Sequence, residues 1–400
     1  MKIVHVIGSI DPAKGGPQAV VIRLAAAQAA LGHQVHLVSY GNPEIEKRAF
    51  LAAAAIPNSQ KVQRHILPIP TRIERLFAPR AHRLLRRLLA ETDFVHLHGV
   101  WEANLRIAAV LARRRGIPYC VRPAGMLDVW SLQQKAWKKR LALMAGYRRM
   151  LDGSAFIQAL NADEAKLMEP LGLKPLSAVI PNGIFLEELE PDGRSDVFRR
   201  RIPALRARRF VLFLSRLHYK KGLDILAEAF AIAASACPDI DLVVAGPDEG
   251  AGEAFKQAIA AKGLTDRVHL AGPLYGREKI RAMLEAECFC LPSRQEGFSV
   301  AITEALACGL PVVITDACHF PEVESAGAGL ICSLDAAAVA DALVTILHDP
   351  ETARIMGERG RALVRRHYTW PQIAQRTIET YAAVLDMERR VFTARAGLPA

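Results

Sequence analysis

A chain of 400 residues, 51% apolar and 23% charged, is too long for one ordinary core and is read as two domains of about 190 residues each. Its longest apolar runs, such as VVIRLAAAQAALG after Ala19, are broken by charge or fall short of the roughly 18 residues a membrane span needs, so no span is expected. Charge is uneven: residues 1–183 hold 26 Lys and Arg against 12 Asp and Glu, a net +14, whereas residues 184–400 hold 26 against 29, a net −3.

In chain order, KIVHVI reads as a strand that leads into GSIDPAKGGP. A β-branched run of this kind is a strand entering a loop rather than a signal peptide, and the protein is expected in the cytosol. A helix from about Pro17 to Leu31 follows, then HQVHLVSY, FVHLHG, IPYCVRPAG, AFIQAL and SAVIPNG, with helical periodicity between them. That is the βαβ rhythm of a parallel, doubly wound sheet.

His96 and His98 alternate along one strand face, but no third ligand at zinc spacing accompanies them, and no metal site is assigned. The seven cysteines lack CxxC spacing and are read as buried thiols.

After Pro181–Gly183 comes LEPDGRSDVFRRRIPALRARR, polar and Arg-rich with two prolines, the best linker candidate. The rhythm then restarts with FVLFLSRL, DLVVAGP, RVHLAGP, CFCLPS and PVVITDA. The domains are therefore drawn as 1–185 and 186–369. A helix at about 370–390, long enough to cross from one domain to the other, completes the first. Two such sheets turned toward each other would place their strand ends around one interdomain cleft, where parallel sheets bind ligands.

The strand FVLFLSRL ends in Ser215 and Arg216, and Lys220 and Lys221 precede Gly222 and an amphipathic helix. A guanidinium fork and a mobile ammonium at a strand's carboxyl end suit a diphosphate. In PSRQEGFSVAITEALACGLPVV, Glu296 precedes a Gly-containing turn and Glu304 follows eight residues later on a helix. A helix N-terminus beside Gly297 offers backbone N–H groups to phosphate or hydroxyls. Carboxylates accept from the vicinal diols of a ribose or hexose.

RLHYKKG followed about 75 residues later by EGFSVAITEALACGLPVV resembles the donor-binding signature of retaining glycosyltransferase family 4, with its Glu-x7-Glu motif. HLHGVW, PAGMLDVWSLQQKAWKKRLAL, VIPNG and VHLAGPLYG look like further family segments, so the similarity runs over nearly the whole chain. It implies an α/β GT-B fold of two doubly wound Rossmann-like domains, the first binding acceptor and the second the nucleotide sugar.

It further implies catalytic roles for Arg216 and Lys221, which would neutralise the leaving diphosphate, and for Glu296, which would hold the donor sugar. Glu304 would bind the ribose. Gly297, Phe298 and Ser299 would supply backbone contacts, and Gly15 and Gly16 would match the family's glycine loop. The implied reaction is retaining hexosyl transfer from a UDP- or GDP-sugar, with no metal or other cofactor, to a glycan or lipid-linked saccharide in cell-surface polysaccharide synthesis. Residues 272–275 are expected to border the base.

One departure stands out. Relatives often carry His or Arg where this chain has Ala124, in VRPAGML. Arg122 and Asp128 are candidate substitutes, and His98, at a strand end facing the cleft, is a candidate to orient sugar or acceptor. Ala124 is also the feature that favours the alternative of a non-catalytic nucleotide-sugar or carbohydrate-binding protein. A nicotinamide dehydrogenase is disfavoured because neither first turn reads G-x-G-x-x-G. The DID at 239–241 opens a strand and is not read as a metal motif.

The basic first half suggests peripheral contact with an anionic membrane surface at its inner face; nucleic acid is not expected as a partner, since few aromatics accompany the charge. In RIERLFAPRAHRLLRRLLAE (72–91), Leu84, Leu85, Leu88 and Leu89 are expected to form an apolar stripe flanked by Arg83, Arg86 and Arg87, and WKKRLALMAGYRRML (137–151) has similar composition.

Overall fold

The structure is a computed structural model that describes residues 1–14, 16–189, 197–205 and 208–396. The chain divides into two compact units, Met1–Gly183 with Trp370–Ala400, and Ile184–Thr369.

The first unit is built on seven strands, β1 (Lys2–Ser9), β2 (Gln34–Gly41), β3 (Gln63–Pro68), β4 (Phe94–His98), β5 (Tyr119–Arg122), β6 (Phe156–Ala159) and β7 (Ser177–Val179). They lie in the order β3-β2-β1-β4-β5-β6-β7, and every pairing is parallel. Helices cover both faces of such a sheet, so its central strands are buried on both sides; Ile3, Val4, Val6, Val95 and Leu97 are fully buried.

The helix Trp370–Ala396 belongs to this unit. Its Tyr381 ring stacks on Phe94, with centroids 3.9 Å apart.

The second unit holds β8 (Arg209–Leu214), β9 (Ile240–Ala245), β10 (Val268–Gly272), β11 (Cys288–Leu291), β12 (Val312–Thr315) and β13 (Gly329–Cys332). Their order is β10-β9-β8-β11-β12-β13, again all parallel. In each sheet the order reverses next to the first strand, between β1 and β4 and between β8 and β11. Those switch points are where a doubly wound sheet opens a crevice at its strand ends.

The expected linker needs correction. Residues 190–196 and 206–207 of it lie outside the described residues, but Phe198 and Leu205 are fully buried in the core of the second unit. Phe198, in the helix Val197–Arg201, and Ile202, just past its end, are spaced i, i+4, an apolar signal that the surrounding arginines obscure. Those arginines reach outward, Arg199 to Glu285 at 3.3 Å and Arg201 to Glu278.

The leucine stripe forms, but it faces the core of the first unit rather than a surface. Leu85 and Leu89 are buried in the core of the first unit, and Leu84 and Leu88 pack against it. The apolar residues left exposed are Ile69, Ile73, Leu76 and Phe77, and on the second segment Trp137, Leu141 and Met144. The ten-residue helix Pro79–Leu88 lies against the helix Ala103–Arg114, which selects the leucine face inward. Among the described residues no helix is long and apolar enough to cross a membrane.

Candidate active site

At the β8/β11 switch point, two loops are locked together before any ligand chemistry is considered. Gly222 has φ +67°, and a Cβ there would lie 1.9 Å from the Pro292 carbonyl oxygen, so only glycine lets the turn after β8 approach the end of β11 this closely. The Arg294 guanidinium grips Asp224 with two bonds of 2.7 and 2.6 Å and lies over the Tyr219 ring at 4.3 Å. The Arg294 N–H donates to the Lys220 carbonyl at 2.7 Å, and Lys220 Nζ donates to Gln295 at 2.8 Å.

On this platform Lys221 Nζ lies 2.5 Å from Glu296 Oε1, and Ser293 Oγ donates to the same oxygen at 2.7 Å. Lys221 and Glu296 are each 9% exposed. An ammonium has three N–H donors, so its bond to Glu296 positions it without exhausting it.

The Glu296 N–H is itself anchored on the Ala317 carbonyl at 3.0 Å, beside β12. Next in the chain Gly297 is exposed, with open space around the position of a Cβ. Ser299 precedes the helix Val300–Ala307 and makes no side-chain cap bond, so the start of that helix keeps backbone N–H groups for other acceptors. Phe298 packs its ring near Phe320 and Tyr368, at 5.8 and 6.1 Å, which fixes the turn.

Glu304, in the second turn of this helix, accepts from Lys279 Nζ at 2.6 Å. Lys279 lies on the helix Gly276–Glu285, and no sequence spacing marks it as a partner. Arg216 is more open, at 57% side-chain exposure, and pairs with Glu249 at 2.6 Å. The second unit therefore offers two carboxylates, each with its own lysine, and one exposed guanidinium.

Asp241, from the DID, is 1% exposed. It is occupied by Arg208 and Arg267 at 2.8 and 2.9 Å and by His269 at 2.8 Å. It is an ion-pair hub that secures β9 and β10.

In the first unit, Gly15 lies outside the described residues, and Gly16 is the exposed first residue of the helix Gly16–Ala30. Asp128 caps the helix Val129–Gln133 by accepting from the Ser131 N–H, the role of an N-cap carboxylate. Ala124 adopts φ +50°, a left-handed conformation that costs a residue with a Cβ about 1 kcal/mol or more.

His98 departs from the expectation of a side chain facing outward at a strand end: it is 2% exposed and its Nε2 lies 2.9 Å from His5 Nδ1. His5 Nε2 in turn meets Gln28 Oε1 at 2.6 Å, and His96 Nδ1 meets the Tyr381 hydroxyl at 2.6 Å. Parallel pairing puts His5 opposite His96, so β1 supplies the third histidine that local spacing did not reveal, and the ligand nitrogens of the three lie within 4.8 Å of one another.

Burial lowers the His5 pKa to about 4 and holds His96 and His98 well below the ordinary value. The Arg122 charge pushes His96 and His98 further in that direction. A dication would meet no carboxylate in this trio and would sit near that guanidinium, whereas a neutral hydrogen-bonded chain satisfies both constraints.

Arg122 is 2% exposed, and burial lowers its pKa to about 10. Its Nη2 donates to Asn182 at 2.6 Å, while Nε and Nη1 have no hydrogen-bond partner among the described residues. All seven cysteines are free thiols, six of them buried.

Two parallel, doubly wound sheets of seven and six strands give the α/β architecture of the GT-B glycosyltransferase fold. Residues 15–183 match the model described as "Glycosyl transferase 4-like domain", and residues 196–363 match "Glycosyl transferases group 1". The chain belongs to this group 1, family 4 class of glycosyltransferases, which move a sugar from a nucleotide-sugar donor.

It is 27% identical to a phosphatidyl-myo-inositol mannosyltransferase of Mycobacterium leprae over 96% of this chain and 98% of that one. It is also 27% identical to a GDP-mannose:cellobiosyl-diphosphopolyprenol alpha-mannosyltransferase of Xanthomonas campestris, over 97% and 98%. Among solved structures, Anabaena HepE in complex with UDP and glucose superposes with a TM-score of 0.74 at 20% identity, covering 96% of this chain and all of that one. Sucrose-phosphate synthase of Thermosynechococcus elongatus gives 0.72 at 22% identity, covering 98% and 100%.

Proposed function

We propose that the protein is a retaining hexosyltransferase that takes its sugar from a UDP- or GDP-sugar and passes it to a lipid-linked saccharide or glycan acceptor in cell-surface polysaccharide synthesis. The observation that carries the reading is the Lys221–Glu296–Ser293 cluster ahead of the uncapped helix Val300–Ala307. The two mannosyltransferase relatives support the lipid-linked acceptor, since their names specify phosphatidyl-myo-inositol and a diphosphopolyprenol.

Breaking the anomeric bond leaves negative charge on the departing diphosphate and positive charge on the sugar. Lys221 and Arg216 are the cations for the diphosphate. Removing one preorganised group of this kind lowers turnover by about 10² to 10³. Glu296 holds the sugar hydroxyls and orients Lys221. Glu304 takes the ribose diol, with Lys279 fixing its carboxylate. N–H groups of Gly297, Phe298 and Ser299 complete the donor contacts of the second unit.

With front-face attack, the departing phosphate accepts the acceptor's proton and no protein nucleophile is needed. The cations are protein side chains, and the Asp241 carboxylate is consumed by Arg208, Arg267 and His269, so donor binding is assigned without a metal.

Ala124 favours the second reading, a binding protein without turnover. Against it stands Arg122, whose buried and incompletely satisfied guanidinium supplies a cation from the same strand end. Release of nucleoside diphosphate from UDP-, GDP- or ADP-sugars by the purified protein separates the two, since hydrolysis of the donor demands a working site. A thermal-shift panel of the same donors identifies the base, because a ligand at 100 times its Kd adds about 2.7 kcal/mol to stability. The first unit is assigned a peripheral contact with the anionic inner face of the membrane, on the strength of the +14 charge of residues 1–183.

A further inference from the structure

Lys221 ends a single 3₁₀ turn, Tyr219–Lys221, and the helix Leu223–Ala236 begins two residues later. One isolated turn with the poorer hydrogen-bond geometry of a 3₁₀ helix is a weak scaffold for a side chain that must hold its position. The start of the turn is capped from within: His218 Nδ1 accepts from the Lys220 N–H at 3.1 Å.

Its other end is held by Arg294, which comes from the loop after β11. Arg294 Nη1 donates to the Tyr219 carbonyl at 3.1 Å, and the Arg294 backbone N–H donates to the Lys220 carbonyl at 2.7 Å. The same guanidinium takes both carboxylate oxygens of Asp224, in the first turn of the following helix. Arg294 is thus bonded to the chain on both sides of Lys221. Two residues further along its own chain stands Glu296, the carboxylate that Lys221 meets. The approach of Lys221 to Glu296 is therefore set through Arg294.

The ion pair is not a strong source of stability. The Arg294 side chain is 21% exposed and that of Asp224 62%, and water screens such a pair. Its value is geometric: a planar fork meets two carboxylate oxygens and a carbonyl at once, which the point charge of an ammonium does not reproduce. Displacing a group that acts on the reacting bond by about 1 Å can cost about 10²-fold in rate.

We propose that Arg294 and Asp224 form a clamp that positions Lys221: neither residue touches the donor, and both act on diphosphate binding and turnover through the Lys221 ammonium. The inference rests on the transferase reading above and adds to it two residues with no direct part in the chemistry.

The test is a double-mutant cycle in the full chain. UDP, GDP, uridine and guanosine are titrated by NMR, and release of nucleoside diphosphate is followed from UDP-glucose and GDP-mannose. Arg294→Lys is expected to weaken the nucleoside diphosphate that binds by about fivefold to tenfold, a coupling usual for neighbouring groups. Release at saturating donor should fall about tenfold or more, with the corresponding nucleoside bound as before and Tm lowered by less than about 4 °C. In a Lys221→Met background the same substitution should change neither quantity, because no ammonium is left to misplace. A general loosening of the fold would instead weaken the nucleoside as well and would multiply with Lys221→Met.

Asp224→Asn, which keeps the shape and removes the charge, should reproduce the pattern and keeps the test decisive if the Arg294 variant misfolds. Unaltered UDP and GDP affinity in folded Arg294→Lys, or an equal loss in the Lys221→Met background, overturns the clamp. Absence of UDP and GDP binding to the unaltered protein strikes at the transferase reading and takes the clamp with it, whereas binding with an uncoupled cycle strikes at the clamp alone.

Discussion

The Lys221 ammonium lies 2.5 Å from the Glu296 carboxylate although 75 residues separate them, and both are almost wholly buried. Replacing one member leaves the other as an uncompensated buried charge, which costs about 3–5 kcal/mol. Lys221→Met should therefore lower turnover about 10²-fold or more and also lower Tm. Arg216→Ala should lower turnover with little change in Tm, because its exposed pair with Glu249 is worth less than about 1 kcal/mol. Steady-state kinetics and melting of both variants check this; wild-type turnover in either at saturating donor would remove that residue from the mechanism.

Glu304 and Glu296 should separate in their effects. Glu304→Ala is expected to weaken free UDP or GDP, and Lys279→Met should do the same by releasing the carboxylate it holds at 2.6 Å. Glu296→Ala should depress turnover and leave nucleoside diphosphate affinity nearly intact. Calorimetry with the bare nucleotides distinguishes this from the reverse pattern, which would exchange the two roles.

Gly222→Ala forces a methyl group to within 1.9 Å of the Pro292 carbonyl at a φ of +67°. The loops must part, at a cost above about 2 kcal/mol. Donor affinity should fall with stability, because the same approach brings Lys221 to Glu296. A variant that melts like the unaltered protein would show that the turn does not depend on this contact.

The histidine chain predicts acid sensitivity. The His5 pKa is lowered to about 4 from 6.5, so the unfolded chain binds the proton more readily than the folded one. Stability from this group is complete above pH 6.5 and is lost as pH falls toward 4, by roughly 3 kcal/mol for His5 alone. Since His96 also meets Tyr381 of the C-terminal helix, loss of structure in that helix should accompany the change. Melting curves between pH 7.5 and 4.5 should show a steeper decline for the unaltered protein than for His5→Asn with His98→Asn; parallel declines would place the acid sensitivity elsewhere.

Membrane contact should respond to basic residues and to salt. Changing Arg83, Arg86 and Arg87 to Gln is expected to reduce sedimentation with phosphatidylglycerol vesicles, since each basic side chain near an anionic surface contributes about 1 kcal/mol. Added salt should reduce it as well, through screening. Leu84→Ser should disturb packing more than binding, because that leucine lies against the core. Equal recovery on neutral and anionic vesicles would assign the basic face to another partner.

Two α/β domains, eleven of their thirteen strands and the residues after β8 and β11 were legible in the sequence by itself, whereas the edge strands β3 and β13 were not. The reason is that these features are local: period-2 and period-3.6 apolar patterns set each element, and the ends of parallel strands are where charged loops gather. Glycine at 222 and the cations and carboxylates flanking it were legible for the same reason.

Only the tertiary structure decided which of those groups meet. It paired Lys221 with Glu296 and Lys279 with Glu304, brought His5 across to His96 and His98, and closed off His98 from solvent. It also turned Leu85 and Leu89 inward and left Ile73, Leu76 and Phe77 outside. An apolar periodicity shows that a helix has a face to bury, but the neighbour packed against it determines which residues are covered, and that neighbour is distant in the chain.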